Sequence, residues 1–235
     1  MILVVRCNYG DDSIALLQAL KTRACEIQEF NHIYVVYIDT GWAAEGWLER
    51  VREGEQFVKS CGFEPIHLKS RATFADLVIE RKNFPTQKFQ WCAGFLKGLP
   101  LLEWLDEHDP KSEWLIALPK RQALYRQKLT AFKKECQYHG ERDVWHPILM
   151  VSNAERDLWM KQAGFLPRYS RSLECDPCVN STAEEFAGLS TKDKEKVLRL
   201  ELTINQSMPK NIRRNQSTGM DAFSMGCGDP FGCGL

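Results

Sequence analysis

Apolar positions in the first half of the chain alternate between two periods. Ile2 to Val5 is an unbroken apolar run that ends in a polar loop, the pattern of a strand buried on both faces. Just beyond it, Ile14, Leu16, Leu17 and Leu20 recur at helical spacing, with Ser13 placed to cap that helix. Ile33 to Ile38 is a second β-branched and aromatic run, stopping at Asp39-Thr40-Gly41. Trp47, Leu48, Val51, Phe57 and Val58 then mark a second helix. Pro65 to Leu68 and Trp114 to Leu118 read as third and fourth strands. This alternation predicts an α/β fold: a mainly parallel twisted sheet with helices on both faces. Such sheets bind ligands at the carboxyl ends of their strands, which directs attention to the loops Cys7–Ser13 and Asp39–Trp42.

The second half is less regular. Ser152-Asn153-Ala154-Glu155 has capping-box spacing and predicts a helix through Trp159 and Met160. Thr191 to Leu202 predicts another. From Ser207 the chain is rich in Gly, Asn and Ser, an irregular C-terminal segment that carries Cys227 and Cys233. No internal repeat is present.

Composition sharpens this in three places. A formal net charge of +0 gives no electrostatic support for a nucleic-acid partner. Lys120, Arg121, Arg126, Lys128, Lys133 and Lys134 nevertheless surround Tyr125 and Phe132, and Lys210, Arg213 and Arg214 follow in the tail. These stretches read either as solvated faces or as a surface for a phosphate backbone. No apolar run approaches the roughly 20 residues needed to cross a bilayer, and Met1–Arg6 lacks the basic start and apolar stretch of a secretory leader. No membrane association and a cytoplasmic location are therefore expected. In a reducing compartment, 9 cysteines point to metal or catalysis rather than disulfides. Cys175 and Cys178 form a CxxC, Cys92 stands beside Trp91, and Cys7, Cys25, Cys61 and Cys136 read as buried small apolar residues.

The loop Asn8-Tyr9-Gly10-Asp11-Asp12-Ser13 leaves a strand and opens a helix. Backbone N–H groups at a helix N-terminus attract anions, Gly lets a phosphate approach, and Ser13 adds a donor. Two aspartates beside a phosphate are unfavourable unless Mg2+ intervenes or one points away.

This loop resembles the PP-loop, SGGxDS, of ATP pyrophosphatases and phosphoadenylylsulfate reductases: Gly10, Asp12 and Ser13 fit, while Asn8 and Tyr9 replace Ser-Gly. Later segments resemble the same superfamily in order. Asp39-Thr40-Gly41 matches its DTG, Trp91-Cys92 with Leu96-Lys97 and Pro100-Leu101 its RWC…LK…PL, and Pro119-Lys120-Arg121-Gln122 its basic segment. His146-Pro147-Ile148-Leu149 with Asn153 to Trp159 is similar to PI…W…DVW, and Cys175-Asp176-Pro177-Cys178 to GCxPC. The resemblance spans residues 1–181, leaving 182–235 as a C-terminal helix and Gly-rich, cysteine-containing tail.

The resemblance implies an adenine nucleotide, ATP or an adenylylsulfate, held by Asn8, Gly10, Asp12, Ser13, Asp39, Thr40 and Gly41. It implies a [4Fe-4S] cluster on Cys92, Cys175 and Cys178, with Cys233 as fourth ligand and Cys227 as its substitute; thiolates also suit Zn2+. Lys97 and Arg121 are expected around the anionic end of the substrate. Cys233, in Cys233-Gly234-Leu235, competes for a second role, the nucleophile that family reductases carry in ECGLH. Lys134-Glu135-Cys136 is similar to that motif but lies out of place. Three functions stay open: ATP-dependent sulfur transfer to a nucleic-acid target or from a sulfur donor protein, which the missing ECGLH favours; adenylylsulfate or phosphoadenylylsulfate reduction; and a non-catalytic nucleotide- or partner-binding module with a structural metal. Family members are often dimers, which makes a homodimer an expectation of the resemblance.

Overall fold

The computed structural model describes residues 1–23, 27–86, 89–122, 128–168 and 171–209. Cys25, Tyr125, Arg126, Lys210, Arg213, Arg214, Cys227 and Cys233 lie outside them.

The described residues form a six-stranded sheet of order β3-β2-β1-β4-β6-β5. Its strands are β1 (Ile2–Arg6), β2 (His32–Asp39), β3 (Glu64–Lys69), β4 (Leu115–Ala117), β5 (Phe132–Cys136) and β6 (Arg142–Trp145). All neighbours run parallel except β5, which returns antiparallel to β6. The central strand β1 is the most apolar, with Leu3, Val4 and Val5 at 0% exposure, as expected where helices cover both faces. The edge strands are polar: β3 and β5 expose alternate or successive residues to water, which blunts them against pairing with another chain.

Helices α1 (Asp11–Thr22), α2 (Trp47–Ser60) and α5 (Asn153–Gln162) cover one face, where Ile14, Leu17, Trp47, Val51, Val58 and Met160 meet Leu3, Val5, Val35 and Tyr37. On the other face α4 (Leu99–His108) brings Leu101 and Leu105 against Val4, Val36 and Ile38. A third apolar cluster joins α3 (Phe74–Arg81), α6 (Ala183–Ala187) and α7 (Thr191–Ile204), with Phe74, Leu77, Val78, Phe186, Val197 and Leu200 packed around Trp42, Trp91 and Cys92. The segment after residue 181 thus contributes to an apolar core of its own with α3.

Ser152 caps α5 with a complete capping box, as its spacing with Glu155 predicts. Ser13 does not cap α1. That helix starts two residues earlier, behind Gly10 in an extended conformation, and the Ser13 hydroxyl turns back to Asn8. Among the described residues no helix is long and apolar enough to cross a membrane.

Candidate functional site

The strand order reverses between β1 and β4, so the loops after these two strands face one crevice. In the β1–α1 loop, Tyr9 takes a left-handed backbone (φ 57) and drives its ring under the loop. The ring fills the space beside Gly54, where a Cβ would meet Tyr9 Cδ1 at 2.1 Å. A wedge of this kind fixes the β1–α1 loop from beneath. Burial pushes the Tyr9 phenol, and likewise that of neighbouring Tyr37, well above the usual range. The Cys7 thiol is pushed up to about 12 by burial, so it stays protonated and inert.

Asn8 organises the top of the loop. Its Oδ1 accepts from Gly10 N at 2.9 Å and from the Ser13 hydroxyl at 2.8 Å. Its Nδ2 donates to Ser172 Oγ at 2.9 Å and to Glu174 Oε1 at 3.4 Å. Asp12 receives Arg121 Nε at 2.7 Å, and burial holds its carboxyl above the ordinary value despite that guanidinium. Asp11 accepts the Arg168 backbone N–H at 2.9 Å. Both aspartates therefore point away from the Gly10–Ser13 donors, the arrangement an anion there requires.

In the β2 loop, Asp39 Oδ1 accepts Gly41 N at 2.9 Å. Gly41 has φ +65, and a Cβ there would meet Thr73 Cγ2 at 2.6 Å, so only glycine fits. Thr40, fully buried, donates to the Glu174 carbonyl at 3.0 Å and so joins the loop to the cysteine segment.

Cys92, Cys175 and Cys178 line one small cavity of about 20 Å3, together with Thr40, Gln90, Lys97, Arg171, Ser172 and Glu174. Cys92 lies within a helical turn, Trp91–Ala93, that passes into a π turn at Gly94–Gly98 carrying Lys97. Such a bulge re-aims side chains and recurs at functional sites. Lys97 and Glu174 form a buried ion pair. Arg171, 7% exposed, hydrogen-bonds the Cys178 sulfur and donates to Ser181 Oγ at 3.3 Å. Among the described residues no three His, Cys, Asp or Glu side chains are gathered tightly enough to share one ion. The three cysteines share this cavity with Leu96 and belong to the apolar cluster of Trp42, Phe74 and Trp91. Cys136 lies elsewhere, in the cluster of Val4, Leu101 and Val144.

Arg121 does not line this cavity. It is fully buried behind the loop, with Nη1 donating to Asn153 Oδ1 at 2.8 Å and Nη2 without a hydrogen-bond partner among the described residues. Lys97, by contrast, lines the cavity. Glu174, Ser172 and Arg171 were not singled out by the sequence; the one signal was an acidic residue directly preceding the CxxC.

The model of the phosphoadenosine phosphosulfate reductase domain matches residues 2–166. The chain belongs to this family. No curated protein matches it. Two solved structures are similar to this chain. The phosphoadenylyl-sulfate reductase from Candida auris, in a phosphate complex, is 10% identical with TM-score 0.47, over 69% of this chain and 73% of that one. The tRNA thiolase NcsA from Methanococcus maripaludis, with its [4Fe-4S] cluster, is 14% identical with TM-score 0.53, over 87% of this chain and 67% of that one. The second likeness is one of fold. The family match ends before Glu174, Cys175 and Cys178, so the cysteine cavity is built partly by chain beyond the matched PAPS-reductase domain.

Proposed function

We propose that the protein binds ATP across the β1 and β2 loops and transfers sulfur at the cysteine cavity. The observation that carries this reading is that Cys92, Cys175 and Cys178 line one cavity, tied to the β1 loop through Glu174 and Asn8. Gly10, Ser13 and the α1 N-terminus would hold the phosphates, and Asp39, Thr40 and Gly41 the nucleoside side. ATP would adenylate an oxygen of the target, releasing pyrophosphate; sulfur then displaces AMP. A [4Fe-4S] cluster on Cys92, Cys175 and Cys178, with Cys233 or Cys227 as fourth ligand, would supply the sulfur-delivering centre. The nucleic-acid targets and sulfur donor proteins of thiolating relatives make such partners the expected acceptors and sources.

Glu174 neutralises Lys97 inside the cavity, which leaves that lysine poorly suited to a sulfate and favours this reading over reduction. Family membership is what supports the second reading, reduction of adenylylsulfate or its 3′-phosphorylated form to sulfite.

Anaerobically purified protein incubated with ATP should release AMP and pyrophosphate and should contain iron and sulfide. Sulfite release from adenylylsulfate with a thiol reductant, and no AMP from ATP, would favour the reductase. Gly10→Val places new atoms where a Cβ alone already meets Asn8 Oδ1 and Ser172 Cβ at 3.1 Å. It should weaken ATP binding at least tenfold, about 1.4 kcal/mol. Unchanged affinity by calorimetry in a folded variant would remove the loop from the nucleotide site.

A further inference from the structure

One planar side chain, the amide of Asn8, bonds two sites at once. Its oxygen takes the Gly10 N–H and the Ser13 hydroxyl, the two donors that a phosphate in this loop would need. Its nitrogen holds Ser172 and Glu174 in the segment that carries Cys175. That segment also lies directly on the loop, since a Cβ on Gly10 would meet Ser172 Cβ at 3.1 Å. Glu174 in turn pairs with Lys97 and takes Thr40 on its carbonyl, so the tether ends on the wall of the cysteine cavity.

The geometry points to Asn8 as a positioning residue that reports phosphate occupancy to the cysteine cavity; this rests on the nucleotide reading above. A phosphate oxygen and Asn8 Oδ1 cannot accept from the same two donors together. Phosphate binding therefore expels the oxygen. Because Oδ1 and Nδ2 share one rigid amide, the bonds to Ser172 and Glu174 break in the same movement. The segment from Arg171 to Cys178 then loses its attachment to the β1 loop while Leu173, Glu174 and Asp176 keep theirs to the β2 loop, and the Ser172 side of the cavity of about 20 Å3 is free to move for the sulfur acceptor. The two states differ in a discrete set of hydrogen bonds, which is what coupling between two sites requires. Coupling is reciprocal: a closed cavity makes ATP bind more weakly, because the amide must first be displaced. Sulfur chemistry is thereby withheld until nucleotide is present.

Hydrogen exchange at residues 171–178 and ATP calorimetry test this on the full-length protein as purified, using a non-hydrolysable ATP analogue as the probe. Wild type should exchange faster in that segment when the analogue is bound. Asn8→Ala should exchange fast without it, show no further change on binding, and bind the analogue roughly fivefold more tightly, the scale of one lost competing hydrogen bond. Ser172→Ala leaves the Gly10 and Ser13 donors untouched and should raise basal exchange while the response to analogue persists in part. It keeps the test informative should Asn8→Ala fail to fold. Analogue binding to wild type with unchanged exchange, or Asn8→Ala binding no more tightly, overturns the coupling and leaves nucleotide binding standing. No analogue binding to wild type or to either variant overturns both.

Discussion

Arg121 and Arg142 are both fully buried, at opposite ends of the half-sheet formed by β4, β5 and β6 with their loops, yet their surroundings differ. Arg142 spends every nitrogen: Nε on Asp109 Oδ2 at 2.7 Å, Nη2 on the Asp109 carbonyl at 2.6 Å and Leu105 O at 3.2 Å, Nη1 on His139 O at 3.3 Å. It clamps the end of α4 to the β5–β6 turn and has nothing left to offer a ligand. Arg121 spends Nε on Asp12 and Nη1 on Asn153, joining the first turns of α1 and α5, and its buried Nη2 has no hydrogen-bond partner among the described residues. An orphaned buried donor is costly to a fold that makes no other use of it. The contrast teaches that burial of charge has two settings here: Arg142 is saturated at the end of α4, and Arg121 is held at two nitrogens between the first turns of α1 and α5.

The largest expected effect breaks the saturated side. Arg142→Met leaves Asp109, 4% exposed, as a buried carboxylate without its partner. Removing one member of a buried pair costs about 3–5 kcal/mol. Urea unfolding should show that loss. An unchanged midpoint would mean that Arg142 is no more structural than Arg121.

The same region should fail in acid. His139, which hands its carbonyl to Arg142, has its imidazole pushed down to about 3 by burial, with Arg6 and Lys120 adding repulsion. The folded value lies below the unfolded one, about 6.5. The unfolded chain therefore takes up the proton first as pH falls. Stability from this group is complete above about pH 6.5 and is lost progressively towards pH 3, by up to a few kcal/mol. His139→Gln should narrow the gap between unfolding midpoints at pH 7 and pH 4.5; an equal gap in both proteins would assign the acid sensitivity elsewhere.

Arg121→Met should invert the ranking seen for Arg142. Its partner Asp12 is 19% exposed on its side chain and keeps access to water, so the stability loss should be the smaller, about 1–3 kcal/mol. AMP release from ATP should fall on the order of a hundredfold, the scale of one lost charge-stabilising donor. Equal losses of stability and turnover would make Arg121 a second structural clamp.

These regions were unequally legible. Strands β1 and β2 announce themselves because burial on both faces demands unbroken apolar runs, and Ser152 with Glu155 announces α5 because a cap has fixed spacing. The β5–β6 hairpin escapes notice: Phe132-Lys133-Lys134-Glu135 is an exposed edge, so nothing in its polarity alternates, and its charges read as a helix face. Gly10, Asp12 and Ser13 were readable by motif, but what Asn8 does there was not, since its bonds reach residues far along the chain. Glu174 carries no motif at all. Its partners Lys97, Asn8 and Thr40 lie far from it along the chain, Lys97 in the π turn.

The smallest expected effect is also the control for the cysteine cavity. Cys136 and Cys175 are both thiols in apolar surroundings, and composition alone cannot rank them. Their neighbourhoods can. Cys136 is 5% exposed, packs with Val4, Leu101 and Val144, and has His139 Nδ1 at 3.5 Å from its sulfur, with no second cysteine in its cluster. Cys175 shares its cavity with Cys92 and Cys178. Cys136→Ser keeps size and hydrogen-bonding capacity, so it should cost about 1 kcal/mol or less and leave iron content and visible absorbance as in wild type. Cys175→Ser removes a soft ligand that an alcohol does not replace, and should bleach the protein and loosen residues 171–208, since metal binding couples to folding. Iron lost equally from both variants would dissolve the distinction between the two thiols. Stoichiometric zinc with no iron in wild type would refute the cluster while leaving the three-cysteine cavity in place.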